Sequence, residues 1–282
     1  MLGKLIKQEF RATGRLMAPL FGALLLLAIF VRTSDLALRH VQAASLFFNI
    51  LNTLLIVAFV LALIGVLVFS VVLMIKRFHQ NFLTDEGYLM FTLPTSVHSL
   101  LWSKLITAAL FFIFTFLAEA LAVAIVVWEG GLAREMFTGF ADLLRALDSY
   151  YMANGLAFAL EALALLFVGL LVCCLLFYAP MSIGYSFANH KGLLSVVFYF
   201  VIQAVLQIFG VSVLAGLADE GSMSSQLLQS IYPNFLTIAG NPHAIVQAAH
   251  GTMLLALCTE LLLGAALYFL TYFMLRKHRN LQ

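Results

Sequence analysis

Charge is scarce in this chain: only 10% of its 282 residues are Asp, Glu, Lys or Arg, against about 25% in soluble domains. With 63% hydrophobic residues, the chain has far more apolar surface than a water-soluble fold could hide. Cysteine is scarce too. Cys173 and Cys174 share one apolar run and Cys258 sits in another, without CxxC or Cys/His ligand spacing, which excludes a disulfide framework and makes them packing residues. The chain lacks G-x-x-x-x-G-K-[ST], so it has no phosphate-cradling loop, and it lacks the G-x-S-x-G elbow and an intramembrane aspartyl pair. His243 and His250 stand seven residues apart and do not form H-E-x-x-H, so they give no more than a weak metal signal. The net charge of +2 is not gathered into a basic patch interleaved with aromatics, and nucleic acid is therefore not an expected partner.

What the sequence does have is long apolar runs. They lie at about 16–31, 46–75, 105–128, 157–183, 193–217 and 252–275, where roughly 20 residues suffice to cross the hydrocarbon core. The expected fold is an all-α integral membrane protein of six transmembrane helices, forming one domain over 1–282. The first run is short, and the second is long enough that its helix must tilt or project. Ahead of the first run, Leu2, Leu5, Ile6 and Phe10 fall on one helical face while Lys4, Lys7, Gln8, Arg11 and Arg15 occupy the other, predicting an interfacial amphipathic helix over 1–15. Although this start resembles a signal peptide, no small-residue cleavage site follows and Arg32-Thr33-Ser34 leads straight on, so an uncleaved span is expected.

Basic residues alternate between the ends of the runs. Eleven of the fifteen lie in the N-terminal segment, at Lys76, Arg77 and Lys104, at Lys191, and at Arg276, Lys277 and Arg279; the other side holds Arg32, Arg39, Arg134 and Arg145. The positive-inside rule then puts both termini in the cytoplasm. Of the two long outer segments, 129–156 carries Leu132, Met136, Phe140, Leu143, Leu144 and Leu147 at amphipathic spacing, and 218–251 is rich in Ser, Gln and Asn. No tandem repeat is visible, because the 76–104 connection has no counterpart in the short 184–192 connection.

The inner connection is the most informative stretch. It runs Lys76-Arg77-Phe78-His79-Gln80-Asn81-Phe82-Leu83-Thr84-Asp85-Glu86-Gly87-Tyr88-Leu89-Met90-Phe91-Thr92-Leu93-Pro94-Thr95-Ser96 and on to Trp102-Ser103-Lys104. Gly87 frees the backbone, Tyr88, Leu89, Phe91 and Leu93 offer an apolar docking surface, and Pro94 ends the element before a helix starts near Ser96. Taken alone, these residues suit either a short helix pressed into a partner's cleft or an interfacial loop with no partner.

This stretch resembles the segment between the second and third spans of ABC-2 type permeases. There an acidic residue and a glycine precede a hydrophobic run ending in Leu-Pro-x-Ser, followed by a Leu-rich entry to the next span with a Lys. Here Asp85, Glu86 and Gly87, then Leu89, Leu93-Pro94-Thr95-Ser96, Leu100-Leu101 and Lys104 hold those places. The likeness covers the first 130 residues, and the rest only through topology. It implies a transmembrane half of a bacterial ATP-driven exporter in the cytoplasmic membrane. In that reading the chain works as a homo- or heterodimer with a separate ATPase subunit that carries ATP and Mg, and has no cofactor or enzymatic activity of its own. The coupling segment would be 78–96, with Asp85, Glu86, Gly87, Tyr88, Leu89, Phe91, Leu93 and Pro94 meeting the ATPase.

Three carboxylates lie within apolar runs: Glu119, Glu161 and Glu260. Each costs roughly 2.5–3.5 kcal/mol at a helix centre, so each is expected to face a bundle interior or a water-filled cavity, and the three are candidate substrate-path residues, the alternative being hydrogen-bonded structural groups or groups that reach the outer interface. Small residues continue two of these faces, Ala157, Gly169 and Cys173 with Glu161, and Ala256 and Gly264 with Glu260, as close helix packing requires. The same carboxylates would serve an ion- or proton-coupled carrier. A non-transporting membrane scaffold or sensor is the third reading.

Overall fold

The computed structural model describes residues 2–40, 46–84, 95–127, 134–135, 138–142, 145, 155–187, 190–218, 226 and 242–278. Among them the chain is helical without a strand, in six long helices: α1 (Leu2–His40), α2 (Leu46–Leu83), α3 (Val97–Val127), α4 (Gly155–Gly184), α5 (Lys191–Ala218) and α6 (Pro242–His278). All six are long and apolar enough to cross a membrane. Their exposed faces carry rows of large apolar side chains, such as Leu26, Phe30, Leu61, Ile64, Phe200, Ile208, Leu262 and Phe269. Contiguous apolar surface on that scale is stable only against lipid, and the protein is a multi-pass membrane protein.

Several helices outrun their hydrophobic cores. The interfacial helix and the first span expected as separate pieces are one continuous helix of 39 residues, about 58 Å long, because nothing between Arg15 and Leu16 interrupts the hydrogen-bond ladder. Pro19 lies inside it and leaves the Arg15 carbonyl without its intrahelical donor. Likewise α2 runs on to Leu83 and α3 starts at Val97, so most of the inner connection is helix. Phe78 and Phe82, expected in the coupling segment, are the last buried turns of α2, their rings 5.2 Å apart.

Ends are set by local chemistry. Ser96 caps α3: its Oγ accepts the Ser99 amide at 3.3 Å and its carbonyl accepts the Leu100 amide at 3.2 Å. Pro242 opens α6, where a missing N–H is harmless and the fixed φ suits the first turn. Between α4 and α5 the chain turns tightly, with His190 in the left-handed region at φ 56°. Gly184 allows the return, since a β-carbon there would lie 2.6 Å from the Ser195 Cα.

The contacts divide the chain into two units, Met1–Phe137 and Thr138–Gln282. In the first, α1 packs along both α2 and α3: Met17 meets Leu73 and Phe111, and further along Leu24, Ala28 and Val31 meet Phe59, Val66 and Ala122. In the second, α4 takes the same place between α5 and α6. Phe177 stacks on Tyr199 of α5 at 5.3 Å, and Phe158 packs on Ala249 and Met253 of α6. Small residues allow the close approach of α4 and α6 that their spacing predicted, with a β-carbon on Gly264 falling 3.1 Å from Val172 Cγ2.

Candidate functional site

At the end of the first unit where α2 finishes and α3 begins, three helices are joined by polar groups. Glu9 of α1 pairs with Lys104 of α3, and its Oε1 accepts a hydrogen bond from Asn81 Nδ2 of α2 at 3.3 Å. Only 8% of Glu9 and 4% of Lys104 is exposed. Phe10, one residue on, packs on Phe111 and Phe114 with ring centroids 5.0 and 5.9 Å away. Thr13, one turn beyond Glu9, and Ser103 and Thr107 of α3 are buried as well, and the hydroxyls of Ser103 and Thr107 are satisfied by carbonyls of α3 itself. A buried ion pair of this kind adds little net stability over an apolar substitute, but it fixes which faces meet. Here it sets the rotation of α1 against the two helix ends that flank residues 85–94.

Lys104 therefore has a structural partner that sequence reasoning missed. A signal was present: Glu9 is the only acidic residue among the first 34 and falls on the apolar Leu2, Leu5, Ile6 face rather than among the cations. The expected coupling residues Asp85, Glu86, Gly87, Tyr88, Leu89, Phe91, Leu93 and Pro94 lie outside the described residues.

The three intramembrane carboxylates meet different surroundings. In the second unit, both oxygens of Glu161 on α4 lie within hydrogen-bond reach of His250 Nδ1 on α6, at 3.1 and 2.9 Å. The imidazole stacks on Phe158, with centroids 3.9 Å apart, so one ring face is apolar while its edge meets the acid. Both partners remain partly exposed. Glu260 on α6 lies against Gly169 of α4, its Oε1 3.4 Å from where a β-carbon would stand, and its Oε2 is buried with no hydrogen-bond partner among the described residues. The glycine makes room for the carboxylate. In the first unit Glu119 Oε1 is likewise buried and unpartnered among the described residues.

Within the second unit Glu161 and Glu260 do not converge. Glu161 and the glycine that receives Glu260 are eight residues apart along α4, about 12 Å. Among the described residues no group of three His, Cys, Asp or Glu is placed to hold a metal ion. The second unit thus holds one carboxylate–imidazole pair and, at Glu260, a carboxylate oxygen with no partner among the described residues; the first unit holds a similar oxygen at Glu119. Comparison of the chain with protein-family models, curated proteins and solved structures gave no match.

Proposed function

We propose that the chain is the membrane permease subunit of an ATP-driven ABC-2 type exporter. It would work by alternating access, with a separate ATPase docked against the connection between α2 and α3. The observation that carries this reading is the order of residues in that connection: Asp85-Glu86-Gly87, an apolar run, Leu93-Pro94-Thr95-Ser96 and Lys104, set between the second and third of six membrane helices. The brace of Glu9, Asn81 and Lys104 supports it mechanically. A segment that receives force from a soluble motor needs rigid ends, and both flanking helices are tied to α1 there. Lacking a phosphate-binding loop, the chain would rely on the ATPase for ATP and Mg, and two nucleotide sites call for two permease copies or a pair of relatives. In this reading both termini are in the cytoplasm.

The test is co-purification from native membranes in mild detergent, followed by ATP hydrolysis in reconstituted vesicles. A soluble P-loop protein should accompany the chain. Tyr88→Ala with Phe91→Ala should release it, because truncating apolar anchors typically costs about 2 kcal/mol or more of binding. Retention of the ATPase and of substrate-stimulated hydrolysis by the double variant would remove the coupling role.

One observation favours a second reading, a proton-coupled carrier: the open oxygens of Glu119 and Glu260 and the partly exposed Glu161–His250 pair could each take up a proton. Uptake driven by a pH gradient in vesicles holding this chain alone would select it over the ATP-driven reading.

A further inference from the structure

The N-terminal turns of α1 carry a cationic face that no described residue of the first unit neutralises. At about 100° per residue, Lys4, Lys7, Arg11 and Arg15 fall within an arc of about 80°, and Glu9 lies about 160° from its middle. All four cations are exposed and, with Gln8 and Ala12, line a shallow groove along the helix. Glu9, although only two residues from both Lys7 and Arg11, does not face them on the helix. It pairs with Lys104 on the opposite side, and among the described residues no other acid meets the stripe.

The height of the stripe follows from packing. Glu9 meets Asn81 and Met17 meets Leu73, so α1 and α2 run antiparallel with residues 13–14 level with Arg77 and Lys76. Arg11 and Arg15 bracket that level, at which α2 also changes from apolar to basic. Basic residues on two helices at one height mark the headgroup layer, about 5–7 Å deep on each side of the hydrocarbon. Lys7 and Lys4 lie further out, yet within roughly one Debye length of an anionic surface, about 8–10 Å.

We propose that this stripe is a binding site for anionic phospholipid headgroups, with Arg11 and Arg15 on the lipid phosphate and Lys7 and Lys4 adding attraction from outside. Guanidinium groups match phosphate oxygens in a bidentate way that ammonium groups do not. The site uses only groups of α1 and stands apart from the transport reading, since lipid retention is measured on the chain alone.

Purified full-length chain is offered equal amounts of phosphatidylglycerol and phosphatidylcholine with identical acyl chains, and the retained lipids are counted by native mass spectrometry. Each cation near an anionic surface strengthens association about fivefold, so the parent should prefer phosphatidylglycerol and Arg11→Gln/Arg15→Gln should lower that preference about tenfold or more. Lys4→Gln/Lys7→Gln should have the smaller effect, and Arg11→Lys/Arg15→Lys should keep most of the preference. All four side chains point away from the packed face, so thermal unfolding should stay parental, and the lysine variant guards against a folding artefact. Equal retention of both lipids by the parent would overturn the site, as would an undiminished preference when all four are Gln. Displacement of phosphatidylglycerol by millimolar glycerol phosphate would also overturn it, reassigning the stripe to a soluble phosphate ligand. A preference kept by the Gln variants but lost on replacing Lys76 and Arg77 would do so too, moving the site to α2.

Discussion

Glu9 and Lys104 depend on each other. Removing one charge leaves the other buried and uncompensated, which in soluble proteins costs about 3–5 kcal/mol, whereas removing both and refilling the space is often near neutral. Lys104→Met alone and Glu9→Ala alone should each lower the unfolding temperature in detergent markedly, and Glu9→Leu with Lys104→Met should recover much of the loss. Additive losses in the double variant would mean that the pair contributes no coupling. The intramembrane acids should separate by the same logic. Glutamine at 119 or 260 removes a charge whose buried oxygen has no partner among the described residues, so folding stability should hold or rise, while transport falls if the charge is used. At position 161 the same change weakens the contact with His250, and stability should fall modestly. Parental transport by all three glutamine variants would return these acids to a structural role.

At the level of helices, close approaches are set by single small residues. A β-carbon at Gly184 would run into the Ser195 backbone, which cannot move without displacing α5 from α4. At Gly264 the neighbour is only the Val172 methyl group at 3.1 Å, which can shift by a few tenths of an ångström. Gly184→Ala should therefore cost at least the 1–3 kcal/mol or so typical of overpacking, and Gly264→Ala distinctly less, both read from thermal unfolding of the purified chain. The reverse order would mean that α5 is free to slide on α4. The hydrophobic runs marked all six helices but understated α1, α2, α3 and α6. Hydropathy ends where polar residues begin, while a helix ends where its backbone bonds stop, as at the Ser96 cap. Residues 76–83 and 97–104 are polar enough to leave the apolar run and regular enough to stay helical.

For the whole molecule, the basic asymmetry predicts that residues 129–156 and 218–251 face outward and 276–282 inward. In a background with Cys173, Cys174 and Cys258 replaced by Ser, single cysteines at Arg134 and Gly221 should react with an impermeant thiol reagent in intact cells, and one at Lys277 should react only after permeabilisation. The opposite pattern would invert the topology and, with it, the coupling proposal. The sequence by itself determined that this is a multi-span helical membrane protein, because run length and missing charge are properties each segment carries alone and the bilayer reads them segment by segment. It also placed the small-residue faces of α4 and α6, since helical periodicity is local. Only the tertiary structure decided what each buried polar group meets. Glu9 finds Asn81 72 positions away, and Glu161 finds His250 across 89. Those pairings depend on how each helix is rotated and slid against its neighbours, and periodicity along one helix carries no information about rotation relative to another. For the same reason only the tertiary structure showed that Glu9 is engaged by Lys104.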